Sequence, residues 1–152
     1  MHKENESDMR YSKPIAESNP FTLDPRLAHD TLRLGALDLC DVLLFDDSRY
    51  DWVILVPRVA DCVELLDLDA DQQILLATEI KYISERLKQR QPSAKLNIGA
   101  LGNVVSQLHV HILLRHPDDP AWPGPVWGHS PAQRHSNDSA AQRLADFREF
   151  LF

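Results

Sequence analysis

The stretch NVVSQLHVHILLRH, residues 103–116, is apolar enough for a buried strand, yet it carries a bulky polar side chain at every second position. Side chains alternate between the two faces of a strand. Gln107, His109 and His111 therefore share one face, while Leu108, Val110, Ile112 and Leu114 share the other. The apolar set requires a core behind it. The polar set has two readings. An antiparallel sheet often leaves one face wet, and Gln–His–His would then be that face. Exposed strands draw mainly on Thr, Lys, Glu and Arg, so two imidazoles at i and i+2 point equally to chemistry.

Outward from this strand the elements follow from pattern. AKLNIGALG, just before it, reads as a strand ended by Gly102, and WVILVP as a short apolar strand halted by Pro57. ALDLCDVLLFDD alternates at Leu37 and Leu39, then turns fully apolar from Val42 to Phe45, which fits one bent strand or two. In LDPRLAHDTLRLG, Asp24 suits a helix N-cap, Pro25 the first helical position and Gly35 a stop, predicting a helix over about 25–33. From Asp69 the period changes. Asp69 and Gln72 form a capping-box pattern, and Leu76, Ile80, Ile83 and Leu87 recur at spacings of four, three and four, predicting a helix over about 70–89. NDSAAQRLADFREFLF closes the chain as an amphipathic helix with Leu144, Phe147, Phe150 and Leu151 inward. Residues 117–131 hold five prolines and two tryptophans and read as a stiff loop packed through its Trp rings. Strands outnumber helices, and the early links are too short for parallel crossovers. The expected architecture is α+β, an antiparallel sheet with packed helices, as a single domain over 21–152 behind a polar arm over 1–20.

Composition limits the function. Hydrophobic residues make up 43% of the 152 and charged residues 26%, an ordinary globular mix. The net charge of −7 argues against broad binding to nucleic acid or to anionic membranes, which needs basic patches. A small anionic substrate is still compatible, because one Arg or a few backbone N–H groups act locally. Cys40 and Cys62 show no Cys-x-x-Cys pattern and read as buried thiols of a reducing compartment. The N-terminal stretch lacks the apolar run of a signal peptide or anchor, and no segment reaches the roughly 18–20 apolar residues of a membrane span. A soluble, cytoplasmic protein is expected.

Two chemistries suit paired imidazoles. His109 and His111 can converge on one metal ion, but the further ligands on offer, His116, His129 and Cys62, have no recognisable spacing. Alternatively one imidazole attacks an electrophile. A backbone carbonyl accepting from Nδ1 would leave Nε2 free to attack phosphorus. The adjacent histidine, protonated, would stabilise phosphoryl oxygens or assist the leaving group.

NVVSQLHVHILLR resembles the signature strand of the histidine triad (HIT) superfamily, His-φ-His-φ-His-φ-φ with φ apolar, and LNIGALGN resembles the strand and glycine turn before it. ILVPR, LGNVV, QLHVH and AWPGPVWG also occur in the order seen in a bacterial branch of that family resembling diadenosine tetraphosphate hydrolases. The resemblance runs from about Phe21 to Gly128. It implies an antiparallel sheet of about five strands, a homodimer, and nucleotide hydrolysis or nucleotidyl transfer at an α-phosphorus through a nucleotidyl-histidine intermediate. Dinucleoside polyphosphates are then a substrate class. No cofactor is built in, although a divalent cation would accompany a polyphosphate. By the same resemblance His109 is the nucleophile, His111 its phosphate-contacting partner and Gln107 occupies the first triad position. Asn103 falls where the family often has a polar group near the phosphates.

Two departures from the family pattern stand out. Gln107 replaces a histidine and cannot carry a proton at neutral pH. That keeps open a second reading, a nucleotide-binding or interaction module without catalysis. Trp52 stands where many relatives place a histidine before the apolar strand, so that a further histidine contact is absent or supplied elsewhere. The remaining candidates divide between roles. Arg115 is a phosphate contact or closes the strand structurally, and Asn97 faces the phosphates or holds a turn. Trp122 and Trp127 cover the nucleotide or pack. Asp46 and Asp47 touch a ribose or make a turn, and Leu43 and Phe45 line a base slot or the core. The acidic series from Asp61 to Asp71 reads as a solvated helix approach.

Overall fold

Five antiparallel strands lie in the order β1-β2-β3-β5-β4 in a computed structural model that describes residues 20–152. The arm expected over 1–20 falls, but for Pro20, outside the described residues. The strands are β1 Thr31–Ala36, β2 Cys40–Phe45, β3 Trp52–Pro57, β4 Lys95–Gly99 and β5 Val110–Arg115, and the helices are α1 Pro25–Asp30, α2 Ala70–Arg90 and α3 Asn137–Leu151. The continuous apolar run of β2 is explained by burial on both sides of the sheet. Val42, Leu44, Val53, Leu55, Ile112 and Leu114 face a large core closed by Leu76, Ile83 and Leu87 of α2 and by Phe147 and Leu151 of α3. Leu43, Ile54, Val56 and Leu113 face the other way, against Leu27 of α1, Tyr50 and Val126. This second, smaller layer borders the site.

The predicted α2 matches closely. Asp69 accepts from the Gln72 backbone N–H at 2.8 Å and the Gln72 side chain accepts from the Asp69 N–H at 3.0 Å, the reciprocal bonds of a capping box. Leu76, Ile83 and Leu87 are buried and Ile80 packs at their margin. Glu79, on the same inward face, was not expected there. Its carboxylate accepts from the buried Leu39 and Cys40 N–H groups at 2.7 and 3.0 Å, and so ties α2 to the β1–β2 turn. Glu79→Ala strands both donors and should lower unfolding free energy by about 2–3 kcal/mol in a urea titration.

Two expectations near the N-terminus are corrected. The first helix has its Asp24 cap and Pro25 start, but it ends at Asp30, not 33. From Thr31 the chain is extended and pairs with β2, because Leu32 and Leu34 are more useful to the core in a strand. Gly35 is consequently no helix stop. It lies inside β1 at a register irregularity, where a Cβ would stand 2.9 Å from the Phe152 ring. The alternating Leu37–Leu39 segment is the turn between β1 and β2, closed by Leu37 N–H donating to the Cys40 carbonyl at 2.8 Å.

The histidine strand is shorter than its sequence alternation. It was expected over 107–115, but ladder pairing starts at Val110, opposite Leu55 of β3. Before that point Leu108 N–H donates instead to the Cys62 carbonyl at 2.9 Å. The expected strand before it ends at Gly99, and Gly102 follows in a turn with φ +63°. The Pro- and Trp-rich segment forms neither helix nor strand, as expected. Both cysteines are free and buried. Among the described residues, no helix is long and apolar enough to cross a membrane.

Candidate active site

His109 and His111 are both buried, with ring centroids 4.9 Å apart, and they line one wall of a cavity of about 520 Å³. The hydrogen bonds of each ring fix its tautomer. His109 Nδ1 lies 2.7 Å from the Gln107 carbonyl oxygen, which can only accept. Nδ1 therefore carries the proton, and Nε2 keeps a free lone pair.

His111 is set the opposite way. Trp52 Nε1, which can only donate, lies 2.9 Å from His111 Nδ1. The proton of His111 must then sit on Nε2. Burial, reinforced by the neighbouring His109, pushes its pKa down to about 3. The protonated partner expected from sequence is thus corrected: in this setting His111 is neutral at physiological pH and acts as an Nε2–H donor.

Aromatic rings build much of the cavity wall. Trp127 meets Trp52 and His111 edge-on at 6.2 and 5.6 Å, and Phe45 lies against Trp52 at 4.4 Å. Of the two loop tryptophans, Trp127 reaches the cavity and Trp122 is 39% exposed. Asp47 and Arg49 lie on the wall as a two-pronged ion pair, with contacts of 2.9 and 2.7 Å. Burial alone would raise the Asp47 pKa, but the hydrogen bonds from Arg49 outweigh it and hold the carboxyl below its ordinary range. Asp46 is occupied by His135, whose backbone N–H and Nδ1 approach it at 3.0 and 2.8 Å.

The six residues singled out from sequence do not all meet. The cavity brings together His109, His111 and the exposed Asn103. Gln107 turns away: its Oε1 accepts from Asp24 N–H and its Nε2 donates to the Thr22 carbonyl, both at 2.8 Å. It clamps the segment leading into α1. Gln107→Ala should cost about 1 kcal/mol and speed amide exchange at Asp24, read by hydrogen exchange. Arg115 and Asn97 are committed to each other at 3.0 Å, and neither lines the cavity. Sequence reasoning missed Trp52 as a direct partner of His111. The signal is its place at the start of β3, where the family pattern by itself points only to an absent histidine.

Among the described residues, no group of three or more His, Cys, Asp or Glu could hold a metal ion. Cys62, once a candidate third ligand, packs in the helix-facing core.

A HIT domain model matches residues 27–118, and the chain belongs to the histidine triad family. Its fold matches solved histidine triad proteins over nearly its whole length. One from Bradyrhizobium japonicum is 43% identical, with 88% of this chain and 100% of that one covered at a TM-score of 0.82. One from Marinobacter aquaeolei VT8 is 44% identical, covering 88% and 97% at 0.83. A third, from Sinorhizobium meliloti 1021, is 43% identical, covering 85% and 96% at 0.80. No curated protein matches the chain significantly.

Proposed function

We propose that this protein is a nucleotide hydrolase or nucleotidyl transferase acting at the α-phosphorus of a nucleoside phosphate compound, with dinucleoside polyphosphates as the substrate class. The observation that carries this reading is the Gln107 carbonyl on His109 Nδ1. It holds a proton on Nδ1 and leaves Nε2, the nitrogen that can act as nucleophile, to a cavity large enough for a nucleotide. His109 Nε2 attacks phosphorus, the leaving group departs, and water or another acceptor cleaves the nucleotidyl-histidine. His111 donates from Nε2–H to a phosphoryl oxygen as charge builds there. Asn103 is a second polar contact, and the aromatic wall receives the base. Gln107 supports the site through its backbone carbonyl, Asn97 and Arg115 through the framework behind it. The protein works as a cytoplasmic homodimer, and any divalent cation arrives with the polyphosphate.

The test is incubation with diadenosine tetraphosphate, followed by chromatography for AMP and by mass spectrometry of acid-labile adducts on the peptide containing His109. Release of AMP with a transient adduct on that peptide is expected. Binding of AMP with neither turnover nor adduct would leave only a nucleotide-binding module.

A further inference from the structure

Trp52 and His111 stand on neighbouring strands, where Trp52 pairs with Leu113 and Ile54 with His111, so their side chains are diagonal neighbours on the cavity face. The indole is held on several sides. Phe45 lies at 4.4 Å, Tyr50 at 6.1 Å and Trp127 at 6.2 Å, the last two edge-on, and Trp52 is only 5% exposed. Its Nε1–H is therefore held on His111 Nδ1 by the packing of the protein itself. We propose that Trp52 is a positioning residue that locks His111 as the Nε2–H tautomer, making His111 a fixed hydrogen-bond donor and not a proton source.

The lock follows from what an indole lacks. A histidine or a hydroxyl at position 52 could switch between donating and accepting, and so pass a proton through His111. Trp52 cannot accept. Protonating His111 at Nδ1 would set two N–H donors against each other at 2.9 Å. Burial opposes the same charge.

The consequence for chemistry rests on the reaction proposed above. The other ionisable side chains of the cavity are Arg26, Asp30, Asp47, Arg49, Tyr50 and His109. Asp47 is paired with Arg49, and Asp30 with Arg26 and Arg134. Burial raises the Tyr50 pKa above its ordinary value, so the phenol is a weak acid, far from the near-neutral pKa that suits proton delivery to a leaving group. When His109 Nε2 bonds to the α-phosphorus, the bond that breaks must release a group stable as an anion. A phosphoanhydride meets this requirement: its bridging oxygen leaves with the electron pair as a phosphate oxyanion, and no proton is needed. A phosphoramidate nitrogen has to be protonated to leave. The site is thus built for anhydrides, disfavouring phosphoramidates by about 100-fold or more, the usual contribution of a missing general acid.

The decisive measurement is long-range 1H–15N correlation NMR of His111 in the free protein, which reads tautomer and charge without any turnover. From roughly pH 5 to 8, the range in which histidine ordinarily titrates, Nδ1 should stay unprotonated and Nε2 protonated. In Trp52→Phe, and with the isosteric 3-benzothienyl-alanine at position 52 should Trp52→Phe fold poorly, that single state should give way to mixed tautomers. A protonated Nδ1 in the parent, or an unchanged spectrum without the indole N–H, would overturn the proposal. AMP release from diadenosine tetraphosphate and from adenosine 5′-phosphoramidate is then compared. Equal rates would overturn the leaving-group consequence. Silence with both substrates would count against the reaction proposed above and leave the tautomer result to decide the role of Trp52.

Discussion

In His109→Ala, AMP release should fall by about four orders of magnitude or more, while AMP binding stays within a few-fold of the parent. The size follows from losing a covalent nucleophile, whose removal from other enzymes costs on the order of 10⁴- to 10⁶-fold in turnover. His109 is buried, and Nδ1 is bound to the Gln107 carbonyl, which leaves Nε2 as the nitrogen proposed to attack phosphorus. Alanine removes both, and no other imidazole can take over. His111 has its Nδ1 engaged by Trp52 and its proton on Nε2, so it offers no lone pair to the cavity. Binding should survive because the aromatic wall of Phe45, Trp52 and Trp127 is untouched. Initial rates by chromatography and affinity by calorimetry separate the two quantities. Residual turnover within tenfold of the parent would place the nucleophile elsewhere and sink the assignment.

How much of this was legible in the sequence depended on whether local pattern or distant contact decided each feature. The capping box at Asp69 and the apolar spacing of α2 involve residues a few positions apart, and they appear as expected. The 108–114 alternation likewise located the sheet and sent His109 and His111 to the same side of it. Alternation orients side chains only while the strand continues. His109 is only one residue before the first ladder pair, but Gln107 is three, where the chain answers to Cys62 and Thr22 instead, and its amide leaves the triad face. Gly35 was misread because Phe152, at the far end of the chain, decides what can stand beside it. The family pattern suggested a role for each position, but not that the residue replacing a histidine would itself bond to the triad. The Trp52–His111 bond spans 59 positions and depends on β3 lying beside β5, which no spacing rule reports.

The largest stability effect is expected not in the cavity but at Arg115, where Arg115→Leu should lower unfolding free energy by about 3–5 kcal/mol. Arg115 is 1% exposed and donates to both Asp119 oxygens at 2.7 and 2.9 Å, to Asn97 Oδ1 at 3.0 Å and to the Gly124 carbonyl at 3.0 Å. It thereby fastens the Pro-rich loop that carries Trp127 to the sheet. Leucine fills much of the space but leaves the buried Asp119 carboxylate without its cationic partner, against a total stability of about 5–15 kcal/mol for an ordinary domain. The double variant Arg115→Leu/Asp119→Leu should recover only part of the loss, because Asp119 also accepts from the His116 and Ala121 N–H groups at 3.2 and 2.9 Å. Acid provides an independent check. In the parent, burial tends to raise the Asp119 pKa, but hydrogen bonds from Arg115 and the backbone outweigh it, so the folded pKa lies below the unfolded value. The carboxylate's contribution is thus complete above the unfolded pKa, near 4, and is lost as pH falls through the folded pKa. Without Arg115 the strongest of the hydrogen bonds that lower this pKa is gone, so the variant has less carboxylate stabilisation to lose in acid. Urea midpoints should accordingly show the gap between parent and Arg115→Leu holding from neutrality down to about pH 4 and narrowing as the pH falls further. A gap under about 1 kcal/mol, the scale of an exposed ion pair, or one that does not change with pH, would mean that Arg115 holds nothing essential in place.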